Sequence, residues 1–312
     1  MQPGVVYALS AFITWGLYPL YWKQLTSVPD IQLAMHRIAW SFVLLAIILS
    51  VKQQWIAFKR GISSWKVLGT YALSSVFIFT NWYILVWAIN AGYIVETSLG
   101  LFINPLINVL FGVVIFKETL SKWQWAAIGL AFSGVVVVAV AYGKFPWVAF
   151  TTAITFALYG LIKKQAPLNP LHGMMLETSI LFPIAVMYLV YAESQGIGAF
   201  LHVSVGRNAL LIGGGVVTVV PLLLFSAAAQ LIPLSLLGIL QYIAPSLQFL
   251  LGTLVYDEPL SMFKLVGFIL VWTALALYTA EGFLCHQTPK EVIVAVPTPT
   301  GSDESSVVFE QV

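Results

Sequence analysis

Ten apolar stretches, each close to the roughly 20 residues a helix needs to cross a bilayer, follow one another almost without interruption. They run over residues 3–25, 31–51, 66–89, 94–116, 122–142, 145–162, 170–192, 208–231, 233–256 and 262–282. Lipid offers backbone groups no partner, so only helices and closed barrels span it. Strand-length alternation is absent, which argues against a barrel. Only 8% of the 312 residues are charged, against about 25% in a soluble domain. The expected class is an all-α integral membrane protein with ten transmembrane helices.

The loops are short, so neighbouring helices should pack as antiparallel pairs. Lys52, Lys59, Arg60, Lys66, Lys117, Lys122, Lys163 and Lys164 fall on the side of the N-terminus. Lys23, Lys144, Arg207 and Lys264 fall on the other. Positive charge marks the cytoplasmic side, so both termini are expected there. Only Met1 and Gln2 precede the first stretch; without a basic leader no cleaved signal is expected. The single cysteine, Cys285, makes no disulfide framework and is taken as inert. A net charge of +2 gives no reason to expect nucleic acid. Residues 283–312 turn to Pro, Thr, Ser, Asp and Glu, the composition of a disordered cytoplasmic tail.

Two stretches repeat. INPLINVLFGVVIFKETLS, from Ile103, aligns without a gap on IAPSLQFLLGTLVYDEPLS, from Ile243, 140 residues later. Pro105/Pro245, Gly112/Gly252, Glu118/Glu258, Leu120/Leu260 and Ser121/Ser261 are among the identities. The copies lie in the fourth and ninth spans, five apart, and therefore point in opposite directions. Their flanks agree: Lys117 and Lys122 end the first copy, Asp257 and Met262 the second. A fainter echo joins WGL at Trp15 to YGL at Tyr159. The pattern predicts two inverted five-helix repeats, residues 1–142 and 143–282, with substrate bound between them near the midplane.

Ten helices in two fives, with a proline in the fourth and ninth, resemble the EamA group of the drug/metabolite transporter superfamily. HRIAWSF at His36, TNWYILVWAIN at Thr80, ETSLGLFINPLINVLFG at Glu96, LYGLIKK at Leu158 and PLLLFSAAAQLIPLSLLGILQYIAPSLQFLLG at Pro221 resemble its RarD branch more narrowly. The resemblance covers about the first 280 residues. It implies a permease of the bacterial inner membrane, more often an exporter than an importer, and names no substrate.

Glu96, Gly100, Asn104, Asn108 and Gly112 recur every four residues and wind along one face of the fourth span. Asn104 and Asn108 suit either a substrate wall or helix–helix glue. Gln248 aligns with Asn108, while Ala244 replaces Asn104, so the two walls differ. Asn81, Trp82, Trp15, Gln241 and Tyr242 complete the candidate cavity. Pro105 and Pro245 each remove a helical hydrogen bond and are candidate hinges. Arg37 and Glu96 enter from the same side at similar depth, which allows an ion pair. Glu96 and Glu177 are candidate proton carriers; His36 titrates near neutrality when unperturbed but is more often structural near an interface. Lys163 and Lys164 are expected to be topology anchors.

No His-Glu-x-x-His, Gly-x-Ser-x-Gly or Walker loop is present, and no cluster of metal ligands. An enzyme, a metal site and a cofactor are therefore not expected. Asn-Pro-Leu at Asn104 and Asn169 resembles the paired motifs of water channels, but Asn104 sits inside a full span. The leading expectation is an alternating-access permease for small organic molecules in the lipid bilayer, with protons as a candidate partner. A flippase for amphiphiles stands as the alternative, ahead of a solute channel.

Overall fold

The computed structural model describes residues 2–91, 93–256 and 262–285. Among them lie thirteen α-helices and no strand. They are α1 (Pro3–Gly16), α2 (Tyr18–Trp22), α3 (Asp30–Val51), α4 (Trp55–Gly61), α5 (Trp65–Asn90), α6 (Ile94–Val114) and α7 (Lys122–Tyr142). There follow α8 (Trp147–Gln165), α9 (Pro170–Ser194), α10 (Val205–Leu231), α11 (Leu234–Gln241), α12 (Ile243–Val255) and α13 (Met262–Cys285). Asp257 to Ser261, which end the second repeat copy, and residues 286–312 of the expected tail lie outside the described residues.

Among the described residues, nine helical segments are long and apolar enough to cross a membrane. The sixth expected span, α8, is not one of them, because Thr151, Thr152, Thr155, Lys163 and Lys164 lower its hydropathy. Helix starts follow sequence chemistry. Ser121 and Gln124 form a reciprocal capping box on α7. The Asn169 side chain accepts from the His172 N–H at 2.9 Å, ahead of Pro170 in the first turn of α9.

Two expected spans are broken. The first divides at Leu17 into α1 and α2. Pro19 has no N–H for the carbonyl of Trp15, so the ladder is interrupted there. The ninth divides into α11 and α12 at Tyr242, three residues before Pro245, whereas α6 continues through Pro105. The final helix runs to Cys285, past the boundary expected at 282.

The packing has a regular pattern. α6 packs on α8, and α1 packs on α11 and α12; α1 packs on α10, and α5 on α8; α3 packs on α10, and α5 on α9. Each of these is matched when every span is exchanged for the one five places on. α3 with α9, α6 with α11, and α7 with α13 are pairs that map onto themselves. This is consistent with an inverted repeat. In the last pair the backbones nearly touch: a Cβ on Gly134 would lie 2.8 Å from the Gly267 carbonyl oxygen. Phe132, Val140 and Leu254 point outward, as lipid permits.

Candidate functional site

Side chains from both expected halves meet in a polar layer inside the bundle. Asn108 donates to Gln241 Oε1 at 2.9 Å and to Asn104 Oδ1 at 3.2 Å. Asn104 donates to the Ala153 carbonyl at 2.7 Å. Asn81 donates to the Thr152 carbonyl at 2.7 Å and to Thr155 Oγ1 at 3.2 Å. Asn104 and Asn108 are 3% and 0% exposed, so in this conformation their amides join helices and face no open cavity. Asn108 Oδ1 is buried without a partner among the described residues. Tyr242 is fully buried, and its hydroxyl donates to the Phe102 carbonyl. Trp15 belongs to an aromatic group with Phe12, Phe156 and Phe225.

Prolines supply acceptors to this layer. Pro19 frees the carbonyl of Trp15, four residues earlier, and Gln248 Nε2 donates to it at 2.9 Å. Pro221 frees the carbonyl of Val217, and the Tyr18 hydroxyl donates to it at 2.7 Å. Both bonds join the two expected halves. A buried carbonyl without a donor is costly, so each proline creates a demand that a distant side chain meets.

One end of the bundle, rich in lysine, carries a second polar set. Lys163 Nζ lies 2.6 Å from Glu177 Oε1, with side chains 2% and 5% exposed. Ser74 Oγ donates to the same carboxylate oxygen at 2.5 Å. Lys163 is therefore no interfacial anchor, contrary to expectation. It turns inward because Glu177 and the rings of Tyr71 and Tyr159, 5.3 and 5.2 Å away, solvate it there. Lys164 caps the end of α10, donating to the carbonyls of Ile232 at 2.7 Å and Ala229 at 3.3 Å. Glu118, which the sequence offered only as a repeated position, accepts from the N–H groups of Leu234 and Ser235 at 2.7 and 2.9 Å. It thereby caps α11 from the connection between α6 and α7. Gly112 leaves the room: a Cβ there would lie 2.5 Å from Glu118 Oε2.

The two ends hold mirrored clasps. Gln32, in α3, donates to the carbonyl of Ile197 at 2.6 Å and accepts from the N–H of Ala199 at 2.8 Å, in the chain after α9. His172, in α9, lies 3.1 Å from Gln54 Oε1, in the chain after α3. Gln32 and His172 are 140 positions apart, the offset of the repeat.

The expected pair between Arg37 and Glu96 is not formed. Glu96 instead accepts from the Tyr142 hydroxyl at 2.6 Å and the Val148 N–H at 2.8 Å, at the start of α8. Similar depth places two groups in one layer but does not turn them toward each other. Arg37 Nε donates to Thr218 Oγ1 at 3.0 Å, and its guanidinium lies between the rings of Trp22 and Trp82. His36 is buried beside Phe200 and helps line an apolar cavity of about 530 Å³ with Trp40 and Val190.

The family model described as "EamA-like transporter family" matches residues 2–140. The chain is 43% identical to "Uncharacterized transporter YojE" of Bacillus subtilis (strain 168), over 89% of this chain and 94% of that one. It is 39% identical to "Protein RarD" of Streptomyces exfoliatus, over 95% of each. It is 38% identical to "Protein RarD" of Escherichia coli (strain K12), over 90% of this chain and 95% of that one. A solved crystal structure with 17% identity superposes with a TM-score of 0.66, covering 89% of this chain and 97% of its own, which shows a shared fold. The chain is a multi-pass membrane protein and belongs to the EamA-like transporter family.

Proposed function

We propose that the protein is a secondary permease of the bacterial inner membrane that exports small organic metabolites, amino acids or drugs by alternating access. The observation that carries this reading is the pair of mirrored clasps, Gln32 on the chain after α9 and His172 on Gln54. A transporter that opens alternately to either side needs the same kind of closure at both ends, and a reason for each to release. Here the clasps are two hydrogen bonds of Gln32 at one end and one contact of His172 at the other, of about 0.5–1.5 kcal/mol net each. Such contacts are strong enough to set a state and weak enough to exchange. Pro105 and Pro245 are the hinges. Glu177 is the proton carrier: neutralising it releases Lys163 and Ser74, and loosens the lysine-rich end, which faces the cytoplasm.

Crosslinking tests the mechanism. With Cys285 replaced by serine, paired Gln54→Cys and His172→Cys, or Gln32→Cys and Ala199→Cys, are each oxidised in membranes. Either bridge is expected to abolish transport and to be reversed by reductant. Undiminished flux through a bridged protein favours a channel and ends the alternating-access reading. A flippase instead predicts movement of labelled lipid in proteoliposomes. Pro105→Ala and Pro245→Ala are expected to lower turnover at unchanged folded yield; unchanged transport in both reduces the prolines to packing.

A further inference from the structure

Arg37 is a cation held inside the bundle with one edge unused. Among the described residues no carboxylate pairs with it; the ion pairs are Lys163–Glu177 and His202–Glu193. Thr218 takes only Nε, at 3.0 Å. Trp22 and Trp82 cover the guanidinium, with ring centres 4.9 and 4.7 Å from Cζ. The two terminal nitrogens make no hydrogen bond among the described residues. Neither is among the fully buried atoms that lack a partner, so both keep some accessible surface. Gly214 clears the approach: a Cβ there would lie 3.3 Å from Trp22 Cη2 and 3.8 Å from Arg37 Cγ. The surrounding residues come from α2 and α5 of the first expected half and from α10 of the second.

The repeat sharpens the point. At the offset of 140 residues, Arg37 aligns with Glu177 and Lys23 aligns with Lys163. In the second half the lysine and the glutamate neutralise each other. In the first half both positions are cationic, and Lys23 turns away to the ring of Tyr256, 3.1 Å from its centre. One positive charge is left uncompensated where unpaired charge is costly and marks function. A guanidinium held by its face and by Nε presents its remaining fork to a planar oxyanion, and carboxylate fits that fork with two parallel hydrogen bonds.

We propose that Arg37 is the anion anchor of the transport site, and that the substrates are small organic anions bound through a carboxylate. Trp22 and Trp82 hold the guanidinium and offer ring surface to the apolar body of the ligand. This rests on the permease reading above and names the substrate class of that site.

The test compares metabolites in cells and in medium, by untargeted mass spectrometry, with the gene deleted, restored, and restored as Arg37→Lys or Arg37→Gln. The expected result is that protein-dependent metabolites carry a carboxylate. Losing a charge-assisted bidentate contact should cut their flux about 10-fold or more in Arg37→Gln. Arg37→Lys should retain an intermediate flux, because charge persists without the fork. Gel-filtration profiles of the purified variants report folding, and the wild-type metabolite class needs no variant at all. Protein-dependent metabolites that lack a carboxylate overturn the anion site and leave the permease standing. So does undiminished carboxylate flux in Arg37→Gln. If no metabolite depends on the protein, the permease reading falls and takes the anion site with it.

Discussion

Lys163→Met alone is expected to cost about 3–5 kcal/mol of stability, because it strands the Glu177 carboxylate in the bundle interior. The carboxylate would keep the hydroxyls of Ser74, 2.5 Å from Oε1, and Tyr159, which cannot replace a cation at 2.6 Å. Glu177→Leu strands the ammonium in the same way, with Tyr71 and Tyr159 as its remaining neighbours. The paired replacement, Lys163→Met with Glu177→Leu, is expected to recover most of that loss. A buried ion pair repays its desolvation only in part, and apolar groups of similar volume often serve as well. Melting of the purified protein, followed by loss of the monodisperse peak, measures all three. If the double variant melts as low as the sum of the singles, the two groups do not act as a pair. The double variant also separates stability from coupling. It should fold and still move substrate, yet ignore an imposed pH gradient. A gradient response that survives in it removes Glu177 as the proton carrier.

Much of the fold was legible because a bilayer demands one property, apolar length, and that property is written locally. The breaks were less legible. Pro19 and Pro245 were visible, but α6 carries Pro105 without interruption, so a proline alone does not say whether a helix will bend or divide. In principle the arithmetic of four residues also named the freed carbonyls of Trp15 and Val217. Their donors, Gln248 and Tyr18, sit on helices brought alongside by tertiary packing, and no local pattern points to them. Lys163 was misjudged for a related reason. A lysine near a helix end ordinarily extends to the interface, and its partner lies beyond the turn between α8 and α9, outside any helical spacing. Glu118 left a better trace. Its recurrence with Gly112, as Glu258 with Gly252, was visible as identity; what it caps became clear only from the start of α11.

Gly238→Ala is expected to destabilise the protein although alanine is the better helix former. The substitution gains up to about 1 kcal/mol of helix propensity. Against that, the new Cβ would lie 2.6 Å from the carbonyl oxygen of Pro105 and 3.0 Å from Asn108 Cβ. A carbonyl oxygen in a helix cannot rotate aside, so α11 must move away from α6. Overpacking of this kind costs about 1–3 kcal/mol, and the net sign is a loss. The shift has a second effect, because Asn108 and Gln241 bridge the same two helices at 2.9 Å. Lengthening that bond leaves a buried amide short of partners at the boundary between the halves. Gly238→Leu should be worse than Gly238→Ala, since the larger side chain meets Val109 as well, whose Cγ2 is already 3.3 Å from the alanine Cβ position. Gly129→Ala, with nothing within 4 Å of its Cβ position, is the control and should be neutral or mildly stabilising. Thermal melts of the three variants decide it. If Gly238→Ala matches Gly129→Ala, α6 and α11 are free to part at no cost, and the close contact between the halves is not what holds this conformation.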